Sequence, residues 1–335
     1  MIFHSIFSCN SYFGRKILLF FLSFFLISHL FSQNINKLQL GKDQDSSYYH
    51  LTKITDNEYW AAGEYGIIST IDSIGNIKSL NLATEGFNIL KIERNDDEIF
   101  MLTDNATIFK YNYITKSLIK KTFSNFKNKC FYDMIFLPNK KILLCGGKTG
   151  ISKGVRQIPN GFIATTSINL DTLEIVWNSY RKFVWSIKEI NPNEYLAAIF
   201  NGVNSKILKS NDGKKWTKYK SVKGLVHEIN LINGKIAYCG TGGINYKKNG
   251  FFQFDDNRQM KFKNTGCFWS MQELDNDLLV VSQKGEFIKI DQLEKKYKIY
   301  SLPTYFPIYD VERISKDKML MVGHGKSAFL VDISN

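Results

Sequence analysis

Two six-residue stretches, WSIKEI at 185–190 and WSMQEL at 269–274, carry one pattern: an aromatic residue, a polar one, an aliphatic one, and a second aliphatic three positions on. The pattern recurs as YHLTKI (49–54), FNILKI (87–92), YDMIFL (132–137), HEINLI (227–232) and YDVERI (309–314), with His227 the one departure at the aromatic position. The seven copies start at intervals of 38, 45, 53, 42, 42 and 40 residues. Self-similarity at such a period is the mark of a repeat architecture and takes precedence over any local reading.

Each copy is followed by a turn and a second apolar run, as in TDNE then YWAAG, PNKK then ILLCG, or NG then KIAYCG. Asn, Asp, Pro and Gly between alternating apolar runs signal hairpins, because these residues tolerate the dihedrals of tight turns. A third run then ends in Asp or Asn, at Asp72, Asn112, Asn169, Asn211, Asp255, Asp291 and Asp332. A fourth, lysine-rich run follows in most copies, for example IKSLNL (77–82) and KYKIYSL (296–302). Four short antiparallel strands every ~40–45 residues make a propeller blade. The sequence therefore predicts an all-β fold, a seven-bladed β-propeller spanning 34–335 as one domain. The last copy has only three strands, and INKLQL (35–40) is a spare strand before the first. It is expected to pair as the outer strand of blade seven, closing the ring and covering an edge that would otherwise invite aggregation.

Ahead of that strand, Arg15-Lys16 precedes the apolar run ILLFFLSFFLISHLF (17–31) and then Ser32-Gln33. A basic doublet, an apolar run of this length and a small residue predict a signal peptide over 1–33, and hence an exported protein of the periplasm, cell surface or exterior. The run is shorter than the ~20 residues a spanning helix needs, so no membrane span is expected after cleavage. Net charge is +13, from 44 Lys plus Arg against 31 acidic residues. Outside the cytoplasm such a charge suits anionic glycan or lipid headgroups. With only six Arg in the chain, nucleic acid is disfavoured as a partner.

The stretch SNDGKKW (210–216) falls at the turn between the third and fourth strands of blade four. With Ser210, Asp212, Gly213 and Trp216 it resembles the Asp box of sialidase-like (BNR-repeat) propellers and of photosystem II assembly-factor-like propellers. The resemblance covers about seven residues. It implies a structural role, on the face opposite the binding site, in which Asp212 accepts from turn amides, Gly213 takes a positive φ and Trp216 packs over the hairpin. A sialidase-like enzyme would need three converging arginines, an acid and a tyrosine nucleophile. Arg94 and Arg258 fall in turns on the wrong face, which leaves only Arg156 and Arg181. No catalytic residues are assigned, and no metal or cofactor is expected: His50, His227 and His324 show no ligand spacing, and no phosphate-binding or nucleophile motif is present. Cys130 and Cys145 bracket one hairpin, so they are read either as a disulfide permitted by export or as two small buried residues. The glycines at 146–147, 240 and 242–243 are read as turn residues.

Loops joining second to third strands share one face of a propeller with the channel mouth, and blade three carries the longest, GGKTGISKGVRQIPNG (146–161). These loops hold seven basic residues against three acidic ones, which predicts a positive face. Beneath them lie the two first-strand sets. The aromatic set is Tyr49, Phe87, Tyr132, Trp185, His227, Trp269 and Tyr309; the polar set is His50, Asn88, Asp133, Ser186, Glu228, Ser270 and Asp310. Strand neighbours point to opposite sides, so the aromatics are expected to wedge between blades and the polar set to ring the channel mouth. That ring, with Lys148, Arg156, Lys247 and Lys326 above it, is the predicted binding surface. The reading is an exported, non-enzymatic propeller that binds or assembles a protein or anionic glycan. A glycan-active hydrolase or lyase, and a sensor or adaptor subunit of an envelope complex, are its alternatives.

Overall fold

The computed structural model describes residues 35–38, 46–148, 151–152, 155–156, 160–242, 249–256, 259–275, 277–291 and 296–333, with the backbone alone at 151–152 and 155–156. The expected signal peptide lies outside these residues. Seven four-stranded antiparallel sheets form a closed ring. The first strand of each sheet lines the channel: Tyr48–Thr55, Ile89–Asn95, Cys130–Leu137, Phe183–Asn191, Leu225–Ile232, Phe268–Leu274 and Ile308–Ser315. Ring closure is as the sequence predicts, with Ile35–Leu38 pairing antiparallel to Ser327–Asp332 from Ile35↔Val331 to Leu38↔Ala328. Among the described residues no helix is long and apolar enough to cross a membrane.

Stability resides in the seams between blades. Seven clusters of buried apolar side chains fill them, among them Trp60, Ile92 and Phe109 between blades one and two, and Tyr48, Leu51 and Leu320 between blades seven and one. The closing strand serves two seams, for Ile35 packs into the cluster between blades six and seven and Leu38 into the next one. First-strand residues that follow the polar set, such as Leu51, Ile92, Ile187 and Val311, are buried in these seams.

Every first strand carries a β-bulge near its start. Register shifts fall between Tyr48 and His50, Ile89 and Lys91, Phe131 and Asp133, Val184 and Ser186, Val226 and Glu228, Phe268 and Ser270, and Ile308 and Asp310. The extra residue is thus Tyr49, Leu90, Tyr132, Trp185, His227, Trp269 or Tyr309. Two of the glycines read as turn residues serve these bulges instead. A Cβ on Gly146 would sit 2.0 Å from the Cys130 carbonyl oxygen, and one on Gly240 1.9 Å from that of Leu225. In these two blades only glycine admits so close an approach of the bulged strand.

The bulges also correct the register of blade two, whose equivalents are Leu90 and Lys91 rather than Phe87 and Asn88. Phe87 packs edge-on against Phe109 at 5.1 Å, and Asn88 ties loops together through Asp104 and the Tyr65 amide. With Leu90 as the start, the first two intervals become 41 and 42.

The SNDGKKW turn has the expected hairpin geometry. Asp212 Oδ1 accepts from the Lys214 and Lys215 amides at 2.8 Å each, Gly213 has φ +68°, and half-buried Trp216 donates from Nε1 to the Gly213 carbonyl and packs on the cluster between blades three and four. The same turn chemistry recurs where Asp72 and Asn112 accept from amides two to four residues on. The disulfide considered for Cys130 and Cys145 is not formed. Cys130 pairs with Gly147 and Cys145 with Asp133, and the two sulfurs leave opposite faces of the blade. Cys130 Sγ donates to the Asp104 carbonyl on the blade-two side, while Cys145 joins the cluster toward blade four.

Deleting residues 34–41 strips four paired residues and two seam side chains, and is expected to lower stability by ~2–4 kcal/mol and to expose the Ser327–Asp332 edge. Thermal melting and light scattering check this; an unchanged melting temperature and solubility would contradict the closure.

Candidate functional site

A bulge places two consecutive side chains on the same side of a strand instead of opposite sides. The aromatic and polar sets therefore do not separate. Both line one cavity of about 350 Å³ at the channel mouth, on the face of the second-to-third-strand loops. Its lining is Tyr49 and His50, Leu90 and Lys91, Tyr132 and Asp133, Trp185 and Ser186, His227 and Glu228, Trp269 and Ser270, and Tyr309 and Asp310. One residue pair comes from each blade.

The aromatic residues form a broken ring. Tyr132 stacks on Trp185 with centroids 4.8 Å apart; Trp185 meets His227 at 5.3 Å, His227 meets Trp269 at 4.3 Å, Trp269 meets Tyr309 at 5.4 Å, and Tyr309 meets Tyr49 at 5.4 Å. Leu90 leaves the gap. The Tyr49 hydroxyl is fixed by Glu64 at 2.6 Å. The result is a cup with a rim of rings.

Beneath it, the polar set stitches blade to blade. Asp310 accepts from the Leu51 amide at 2.8 Å, Asp133 from the Ile187 amide at 2.9 Å, and Glu228 from the Met271 amide at 2.7 Å. Ser186 donates to Asp133 at 3.2 Å and accepts from the Ile229 amide at 3.3 Å. In each case the donor is the residue just after the polar position of the next blade. Mutual bonding of this kind serves Asp133, Ser186, Glu228 and Asp310, where an unpaired buried polar group would cost ~1–3 kcal/mol.

Lys91 is the residue the sequence reading missed. Its Nζ lies 3.3 Å from Asp133 and 3.0 Å from Glu93. Burial opposes its charge, but Asp133, Glu93 and Asp310 outweigh that and raise its pKa. A signal for it existed: Leu90-Lys91-Ile92-Glu93-Arg94 matches Tyr309-Asp310-Val311-Glu312-Arg313 position by position. Glu93, Lys188 and Glu312 follow the polar set by two residues and so share its face.

The cavity is acidic, and its groups are perturbed accordingly. Burial, reinforced by Asp310, pushes the Glu228 carboxyl up to about 8. Burial with Asp310 and Glu93 lifts Glu312 to about 7, and burial lifts Asp310 to about 6 against the pull of Lys91. Burial drives His227 down to about 3, and burial together with Lys91 holds His50 well below its usual range. His50 Nε2 lies 3.5 Å from Asp310. Three buried polar atoms in the lining have no partner: Nδ1 of His50, Nδ1 of His227 and Nε1 of Trp269.

Of the basic residues expected above this rim, two have described side chains, Lys148 and Lys326, and neither lines the cavity. Lys148 is half-buried and outside the cavity lining. Lys326 lines a different cavity of about 390 Å³, with Tyr48, Tyr65 and Glu85, and its amide donates to the Ser46 carbonyl at 2.6 Å. Arg156 is described only by its backbone, in a two-residue hairpin (Val155–Arg156 with Ile151–Ser152), and Lys247 lies outside the described residues. The mouth face carries exposed apolar side chains instead: Tyr65, Tyr180, Val203, Tyr305 and Phe306, of which Tyr305 is 97% exposed. Among the described residues no group of three or more His, Cys, Asp or Glu is gathered to hold a metal ion.

The architecture is similar to that of virginiamycin B lyase from Staphylococcus aureus, with a TM-score of 0.67 at 11% identity over 90% of this chain and 99% of that one. It is equally similar to YCF48 bound to a D1 peptide (TM-score 0.65, 12% identity, 90% and 95% covered) and to YCF48 from Cyanidioschyzon merolae (0.65, 12%, 90% and 99%). At these identities the likeness is one of fold. No protein-family model matches the chain, and no curated protein sequence matches it.

The carboxyl shifts set a pH dependence. Between pH ~6.5 and 8 the folded form keeps protons on Glu228 and Glu312 that the unfolded chain has released, so stability falls as pH rises. Below ~7.5 the two buried histidines partly offset this decline, because the unfolded chain still protonates them and the folded one does not; above ~7.5 they are neutral in both states and add nothing. The melting temperature is therefore expected to decline across this interval, and Glu228→Gln to flatten the decline. Equal slopes for wild type and variant would show that Glu228 is ionised in the folded protein.

Proposed function

We infer that this chain is an exported, non-enzymatic propeller that holds a segment of a partner protein in the aromatic cup. The observation that carries the reading is the cup itself, seven bulges bringing six rings to one mouth, with three buried polar atoms unpartnered in its wall. The exposed Tyr65, Tyr180, Tyr305 and Phe306 around it support a protein partner, because apolar residues clustered on one face of a soluble protein mark interaction surfaces. A cup of about 350 Å³ admits a side chain with adjoining backbone, not a folded element. That one structural neighbour is seen with a bound peptide makes this use of the fold plausible. Export rests on the leader-like run 17–31 behind Arg15-Lys16. The cup's carboxylates are engaged by amides of the next blade, which suits a scaffold better than free acid–base chemistry.

A second reading, a lyase or hydrolase acting in the same cup, is favoured by Glu228: a carboxyl held up to about 8 beside a neutral His227 is a poised proton donor. One structural neighbour is a lyase.

Affinity capture from the envelope fraction with wild type and with Trp185→Ala/Trp269→Ala separates these readings. A protein retained by the wild type and lost, about tenfold or more, by a double variant of native circular dichroism supports the binding reading. Capture that ignores the two tryptophans moves the site elsewhere, and turnover on a glycan array would establish the enzyme.

A further inference from the structure

The cup holds more negative charge than its own lysines neutralise. Asp133, Glu228 and Asp310 line it, Glu93 and Glu312 stand one step deeper, and among the described residues Lys91 and Lys188 oppose them. Lys91 is committed to Asp133 and Glu93. His50, kept neutral by burial and by Lys91, brings no charge to Asp310. Glu228 and Asp310 therefore face the cavity bonded to backbone amides, with no charged cation at ion-pair distance among the described residues; Asp310 is ionised at neutral pH, and Glu228, protonated there, ionises as a cation arrives.

Above them the rings of Tyr49, Tyr132, Trp185, Trp269 and Tyr309 close around the opening. Aromatic quadrupoles over unneutralised carboxylates draw a cation from water and repel an anion. A second observation points to a ligand independently of charge. His227, only 6% exposed, has an unpartnered Nδ1, and the Trp269 indole N–H has no acceptor. An indole nitrogen only donates, so what it lacks is an acceptor such as a carbonyl oxygen.

We propose that the cup receives one lysine or arginine side chain of the partner segment, its cationic head between the rings and above Glu228 and Asp310, while Trp269 Nε1–H donates to a main-chain carbonyl of the same segment. This rests on the binding reading above and names the group that enters. An anionic glycan seated here would meet the carboxyl groups of Asp133, Glu228 and Asp310.

Acetyl-Gly-Gly-X-Gly-Gly-amide peptides, with X as Lys, Arg, Gln or Glu, provide the probe, titrated by calorimetry and intrinsic tryptophan fluorescence. The Lys and Arg peptides are expected to bind about tenfold or more tighter than the Gln peptide, and to weaken in ~0.5 M salt. Glu228→Gln, which keeps an acceptor for the Met271 amide, should reduce that preference for the cation. Trp269→Phe, which keeps a ring and removes the N–H, should weaken Lys and Gln peptides alike. Equal affinity for Lys and Gln, no binding of any peptide at millimolar concentration, or tighter binding of the Glu peptide or of a sulfated oligosaccharide overturns the proposal. If partner capture still depends on Trp185 and Trp269 in that event, the cation is wrong and the binding reading stands.

Discussion

One extra residue in each inner strand governs this molecule. Without a bulge, a strand alternates its side chains between the two blade faces, and only one residue in two reaches the channel. The bulge turns two consecutive residues inward at the same height of every blade. The first supplies the ring of the cup and the second the polar group beneath it. The residue after them returns to the seam, buried, and in four blades (Leu51, Ile187, Ile229 and Met271) offers its amide to the preceding blade's carboxylate or hydroxyl. Cup, stitches and seam packing are thus consequences of one backbone irregularity. In blades three and five the backbones approach so closely at the bulge that glycine, Gly146 or Gly240, stands opposite it.

The same feature separates what is legible in the sequence from what is not. Seven-fold repetition, hairpin turns and the spare strand at 35–40 are local patterns, and they specify the ring and its closure directly. A bulge leaves no such trace, because it changes pairing without changing which residues are apolar. Strict alternation therefore places the aromatics of Trp185 and Trp269 in the seams, where the structure has Ile187 and Met271 instead. In blade two the aromatic cue points to Phe87, whereas the bulge falls at Leu90. Position-by-position alignment with 309–313 locates it, since a charged Lys91 in the polar position looks unlike its neighbours only to a search for aromatics. Loop charges do not reveal the cavity for a different reason: its lining comes from strands. The thiols of Cys130 and Cys145 lie near each other in sequence register but on opposite faces of a blade only ~10 Å from the next seam.

The fold is shared with a lyase and with a peptide-bound protein, so it decides nothing between chemistry and binding by itself. The distinction lies in how the cup's polar groups are employed. Asp133 and Asp310 hold neighbouring blades together and cannot move without opening a seam, while Glu228 combines that duty with a raised pKa. A floor of carboxyl groups under aromatic walls suits the cationic group proposed for it. The protein's overall positive charge resides elsewhere, largely on the solvated outer strands such as Lys218, Lys261 and Lys298.

Amide hydrogen exchange at the stitched positions tests the central claim most directly. If the bulged strands are tied through Asp133, Ser186, Glu228 and Asp310, the Leu51, Ile187, Ile229 and Met271 amides exchange only with global opening. They should then be as slow as the second-strand core. Exchange at these four positions as fast as in the outer strands Ile77–Ser79 and Leu118–Thr122 would contradict the stitched ring, and with it the cup that stands on it.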